Sequence, residues 1–128
     1  MCQGKIFPTG DSMNYFEMSE FECKCGCGKR NIDEGLLLML DEAREETGIP
    51  YIITSGCRCK KHNARVGGRK NSSHLSGLAV DIKATDSRAR FRIVTGLLLA
   101  GFARIGIGKR FIHADADGRK PSPVIYLY

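Results

Sequence analysis

The sequence predicts an α+β fold in a single domain. Two segments carry apolar residues at helical spacing, and five short β-branched or apolar runs alternate with Gly- and Pro-rich connections. A length of 128 residues supports one hydrophobic core and is too short to divide into two independently folding halves. The order along the chain is helix, strands, helix, strands, without internal repeats.

Residues 1–20 mix Gly, Pro, Asp, Ser and Asn without a clear period, so they are expected to form an arm laid over a domain spanning residues 21–128. Asp33 suits an N-cap ahead of Leu36, Leu37, Leu38, Leu40 and Ala43, with Gly48-Ile49-Pro50 as a stop; residues 34–47 read as a helix whose apolar face meets the core. Tyr51-Ile52-Ile53-Thr54 reads as a buried strand that ends in a loop at Ser55-Gly56. Residues 60–66 form a short helical pattern broken by Gly67-Gly68, and Leu78-Ala79-Val80-Asp81-Ile82 reads as a second strand, with His74 on the loop between them. Ser87 opens a second long helix, in which Ala89, Ile93, Leu97 and Ala100 recur at helical spacing before Gly101. Residues 104–107, 111–115 and 124–127 complete the set as three short strands.

A hydrophobic fraction of 42% and a charged fraction of 27% place the chain among ordered globular domains. The longest apolar run, residues 95–102, falls far short of the roughly 20 residues that cross a bilayer, so no stable membrane insertion is expected. Residues 1–8 show no apolar h-region, so synthesis in the cytoplasm without a signal peptide is expected. The net charge of +6 favours anionic partners. Its carriers, Arg58, Lys60, Lys61, Arg65, Arg69 and Lys70 among them, are scattered without aromatic interleaving or a recognition-helix pattern, so nucleic acid is not an expected partner. No extended amphipathic surplus asks for a second subunit, and a monomer is expected.

The residues that could carry chemistry suggest a metal, although on spacing alone a single His in a strand is more often a satisfied core or surface residue. His74 and Asp81 lie where a loop runs into a strand, so an imidazole and a carboxylate can fold towards one point. His113 supplies a third ligand, and strand alternation puts Phe111, His113 and Asp115 on one face. Three nitrogen and oxygen ligands with a fourth position left for water suit a catalytic zinc, whereas a closed structural site uses four. Asp115 is the candidate base for the attacking water. Asp86, Asp115 and Asp117 compete as ligands on spacing alone.

Three motifs in order carry a family resemblance: residues 55–68, containing Ser55-Gly56-Cys57-Arg58; Ser72-x-His74-x-x-Gly77-x-Ala79-x-Asp81; and Gly106-Ile107-Gly108 followed by Phe111-Ile112-His113-x-Asp115. Over about residues 20–115 the chain resembles the zinc D-alanyl-D-alanine carboxypeptidase family, most of all its small members from phages, prophages and bacterial cell-wall enzymes. The resemblance implies a hedgehog-like fold with an antiparallel sheet and flanking helices, one catalytic zinc on His74, Asp81 and His113, and hydrolysis of peptidoglycan stem or cross-link peptides. It assigns Arg58 to the substrate's carbonyl or carboxylate, a task that suits a planar, permanently charged fork. Ser72, which opens the second motif, is the other substrate-binding candidate. Many relatives carry Glu or Asp three residues before the last His, or a His two residues before it; here those positions hold Arg110 and Phe111, and Asp115 is the nearest replacement as the catalytic base. A cell-wall enzyme made without a signal peptide would act after release, in phage lysis or virion entry. The alternative is a non-catalytic, zinc-containing wall-binding module of the same fold.

Cys23, Cys25 and Cys27 alternate along one short stretch, and Cys57 and Cys59 flank Arg58. The favoured reading sets Cys23, Cys25 and Cys27 in a tight Gly-rich turn against the 57–59 loop, with the thiols packed or oxidised after release from the cell; the other joins them in a second, structural zinc site. A nucleophilic Cys paired with His62 or His74 is disfavoured because it leaves the His74, Asp81 and His113 pattern unexplained. His62 reads as a helix-start residue, and Gly67-Gly68 lacks the remaining positions of a phosphate-cradling loop, so no nucleotide is expected.

Overall fold

In the computed structural model, which describes residues 15–128, Asp33 accepts a hydrogen bond from the Leu36 N–H at 3.0 Å and caps helix α1, Glu34–Thr47. Gly48 ends that helix in the left-handed conformation, at φ 69°, that glycine adopts without steric cost. Strand β1, Ile53–Ser55, and the short helix α2, Lys60–Arg65, follow. A 3₁₀ turn at Ser73–Ser76 leads into β2, Ala79–Lys83. Helix α3 spans Ser87–Leu99, capped by Asp86, whose carboxylate accepts from the Ala89 N–H at 2.8 Å. Strands β3, Arg104–Ile107, β4, Phe111–Asp115, and β5, Val124–Leu127, close the chain's secondary structure. No helix among the described residues is long and apolar enough to cross a membrane.

The α+β class stands, with five strands in the order β1-β2-β4-β3-β5 and helices flanking the sheet. Three of the four pairings are antiparallel, as expected, and the fourth, β3 with β5, is parallel. The direction follows from where β4 ends. Asp115 lies opposite Arg104 at the start of β3, so the short connection 116–123 delivers Val124 to that same end, and β5 runs alongside β3 rather than against it.

Alternation along the strands separates core from site. Val80, Ile82, Ile105, Ile112 and Ala114 are buried in one cluster with Leu36, Leu40 and Ala43 of α1 and Ile93 and Leu97 of α3. Asp81, His113 and Asp115 belong to the opposite face. Of the arm expected over residues 1–20, residues 1–14 lie outside the described residues. From Tyr15 onward the segment is tied down: Phe16 and Phe21 pack with ring centroids 5.3 Å apart, and the Arg44 guanidinium lies 4.8 Å from the Phe16 centroid. Between them runs a 3₁₀ turn, Met18–Phe21, and the Phe21 carbonyl accepts from the Cys57 N–H at 2.8 Å.

Helices α1 and α3 approach closely at Gly96. A Cβ there would stand 2.6 Å from Thr47 Cγ2 and 2.8 Å from the Ala43 carbonyl oxygen, and it would collide with the Tyr51 hydroxyl. Gly96→Ala gains about 1 kcal/mol of helix propensity but overpacks a contact that includes backbone, at about 1–3 kcal/mol. The variant is therefore expected to unfold at lower urea concentration than the parent chain, and an unchanged or higher midpoint would contradict this packing.

Candidate metal centre and cleft

The site is assembled on β2 and β4. Their register pairs Asp81 with His113 and Ala79 with Asp115. His74 arrives from the 3₁₀ turn before β2, where the Ser72 hydroxyl accepts from the His74 N–H at 3.2 Å and Gly77 closes the turn at φ 71°. A Cβ at Gly77 would run into the Asn31 carbonyl, so this corner fits against the chain ahead of α1 only as glycine.

Each donor is aimed by a partner. His74 Nδ1 lies 2.7 Å from the Gly56 carbonyl, so it carries the proton and donates, which leaves the Nε2 lone pair facing Asp81 Oδ1 at 3.3 Å. His113 Nδ1 stands 2.9 Å from the same Asp81 oxygen, while its Nε2 meets Asp115 Oδ2 at 2.8 Å. His74 Nε2, Asp81 Oδ1 and His113 Nδ1 thus converge, all within 4.8 Å of one another. Ligands at about 2.1 Å in a tetrahedral zinc shell are separated by roughly 3.4 Å, so the two separations involving Asp81 lie within a few tenths of an ångström of what the ion needs. The donor chemistry fits a zinc site with one position left open.

The charges are balanced locally. Burial alone would raise the Asp81 carboxyl, but the His113 and His74 imidazoles beside it outweigh this and hold the group below the ordinary carboxylate range. Burial pushes the His113 imidazole down, and its bonds to Asp115 and Asp81 reverse this, so it ends raised. Burial likewise opposes ionisation of Asp115, and His113 and the Asp117 N–H prevail and lower it.

Asp115, the expected base, has partners on both oxygens. Its Oδ2 is engaged by His113, and its Oδ1 accepts from Arg104 Nε at 2.8 Å and from the Asp117 N–H at 3.1 Å. That geometry is one that orients a ligating histidine. Asp115 also stands outside the ligand cluster, as do Asp86, spent as a helix cap, and Asp117, which accepts from Ser73 Oγ at 2.8 Å and from Arg119.

A cleft of about 820 Å³ opens over the cluster, and Arg58, Ser72, His74, Asp81, His113 and Asp115 all line it. Arg58 is braced by Ser55 Oγ and Asn63 Oδ1, each at 3.1 Å, with NH2 3.5 Å from Asp81 Oδ2. Ser72 reaches the cleft as well, with its hydroxyl already accepting from the His74 N–H. Tyr126 and Tyr128 were not singled out by sequence, yet both line the cleft, with ring centroids 6.1 and 6.2 Å from that of His113. Gly106 makes room for them, since a Cβ there would lie 2.7 Å from both rings. The signal was present in the alternation of β5, which puts residues 124, 126 and 128 on the face that Gly106 leaves open. Asn63 and Arg104 were equally unmarked, because their roles depend on contacts across 5 and 11 positions of sequence.

A family model described as Peptidase M15 matches residues 14–115, which include all three converging ligands, Arg58 and Asp115. No curated protein matches the chain.

Loss of an orienting carboxylate at a metal site costs about 10- to 100-fold in metal affinity. Asp115→Asn is expected to weaken zinc by that factor in a chelator competition, and His113→Ala by more. Equal affinity in Asp115→Asn and the parent chain would remove Asp115 from the metal's support.

Proposed function

The chain belongs to the peptidase M15 family, and from that premise we propose that it hydrolyses peptide bonds in the stem or cross-link peptides of peptidoglycan, with zinc held by His74, Asp81 and His113. The observation that carries this reading is the convergence of those three donors on the floor of an open cleft, with Arg58 beside them. The cations that line the cleft, Arg58, Arg69, Arg104 and Lys120, suit peptides bearing free carboxylates, as wall stem peptides do.

Zinc in this position lowers the pKa of a water towards about 7 and polarises a carbonyl. The chain's own residues supply the rest. Arg58, fixed by Ser55 and Asn63, is placed to hold a substrate carboxylate or carbonyl through charge-assisted hydrogen bonds. Asp115 accepts from His113 Nε2 and so keeps Nδ1 directed at the cluster, acting as a positioning residue. Arg104 neutralises Asp115 from behind. Burial raises the pKa of the Tyr126 phenol, so it stays protonated at neutral pH as a hydrogen-bond donor in the cleft wall. The wall-binding alternative is not favoured, because the family is one of peptidases and a binder has no use for an open metal position beside a braced arginine.

Incubation with Gram-negative peptidoglycan, followed by mass spectrometry of the released muropeptides, tests the reading and names the bond. New amino and carboxyl termini are expected, and they should vanish with a zinc chelator or in His113→Ala. Arg58→Lys keeps the charge but loses the fork, and is expected to lower kcat/KM by roughly 10- to 100-fold. Unchanged muropeptides from a protein with zinc bound would point to the wall-binding module instead.

A further inference from the structure

We propose that Cys23, Cys25, Cys27 and Cys59 hold a second zinc as a closed tetrathiolate site, separate from the catalytic cluster. Their four sulfurs lie within 4.8 Å of one another. Cys23 and Cys25 Sγ are 3.5 Å apart, and Cys25 and Cys59 Sγ are 3.7 Å apart. Zinc–sulfur bonds of about 2.3 Å in a tetrahedron separate the sulfurs by roughly 3.8 Å, close to both values. A disulfide would need about 2.05 Å, and Cys23, Cys25, Cys27 and Cys59 are all free thiols.

Core packing does not account for the cluster. Cys25 and Cys27 are exposed, so no apolar burial draws them towards Cys59, which comes from a segment 34 positions from Cys25. Cys57, the fifth thiol among the described residues, behaves as a packed thiol should: it is buried in the hydrophobic core and takes no part. Backbone amides are also turned onto the sulfurs. The Cys59 N–H points to Cys23 Sγ and the His62 N–H to Cys59 Sγ, both at 3.4 Å, which is the support that thiolate ligands require. Gly26 and Gly28, at φ 87° and 89°, give the backbone the left-handed turns that wrap the 23–27 segment around its own sulfurs. Lys24 and Lys60 adjoin these cysteines in sequence, and Lys29 and Lys61 lie two positions from Cys27 and Cys59, cations that suit the net negative charge of a zinc tetrathiolate.

Binding would release the four thiol protons to solvent and cross-link the 23–27 turn to the segment between β1 and α2. Cys59 is the N-cap of α2 and the neighbour of Arg58, whose N–H donates to the His74 carbonyl at 3.1 Å. All four protein ligands being sulfur, no position is left for water, and the ion's role is structural.

The test uses the full chain in two forms. In zinc-loaded parent protein, Cys25 and Cys27 are expected to resist alkylation by iodoacetamide until a chelator is added, despite their exposure, as read by peptide mass spectrometry. In the His113→Ala background, which disables the catalytic cluster, cobalt is expected to bind with one ion per chain and an intense thiolate-to-cobalt charge-transfer band, and Cys25→Ser with Cys27→Ser should abolish both. Alkylation at equal rates with and without chelator would overturn the site, as would a reductant-reversible cross-link between these cysteines. Inactivity of the parent chain on peptidoglycan, with the cobalt band intact in His113→Ala, would count against the catalytic reading and leave this one standing.

Discussion

Asp81 pairs with His113 across β2 and β4, and a slip of one residue by either strand would turn its site residue into the apolar core and bring its own aliphatic residues, Val80 and Ile82 or Ile112 and Ala114, to the surface. The hydrophobic side of the sheet therefore enforces the geometry of the polar side. Four buried aliphatic residues, packed under α1 and α3, hold two strands in the one alignment that lets an imidazole nitrogen meet a carboxylate oxygen at 2.9 Å. His74 is placed by other means, through a capped 3₁₀ turn and the close approach of Gly56, whose carbonyl takes the Nδ1 proton.

Three aspartates sit buried on or beside this face, and each is answered by an arginine: Asp81 by Arg58, Asp115 by Arg104 and Asp117 by Arg119. Burying a lone carboxylate is costly, and a partner with further hydrogen bonds offsets the loss of water. The pairing also grades the residues by role. Asp81 has one oxygen turned to the two histidines and the other towards Arg58, whereas Asp115 is satisfied on every side by His113, Arg104 and backbone. The same residue type thus serves once at the cluster and once behind it.

Much of this was legible from the chain alone because the signals were local. Asp33 and Gly48 bracket α1, period-two alternation placed Phe111, His113 and Asp115 on one face, and spacing with family resemblance singled out His74, Asp81 and His113. What was not legible depends on contacts distant in sequence. The parallel β3–β5 pairing follows from which end of β4 the last connection leaves, and a run of Val, Ile, Tyr and Leu does not encode that. The bracing of Asp115 was not legible because its partner Arg104 lies on another strand, 11 positions away. The cysteines were read as packed thiols, a reading that holds for Cys57 and fits poorly for exposed Cys25 and Cys27.

The bond between Asp81 and His113 joins positions 32 apart, and the whole of α3 lies between them. In the unfolded chain those donors are scattered by the entropy of an open loop, so a metal finds the full ligand set only once β2, α3 and β4 have come together. Occupancy would then be read out as global stability: an ion at a hundredfold excess over its Kd adds about 2.7 kcal/mol to folding. Metal supply would in that way govern how long the protein survives proteolysis, quite apart from whether it can cut a bond.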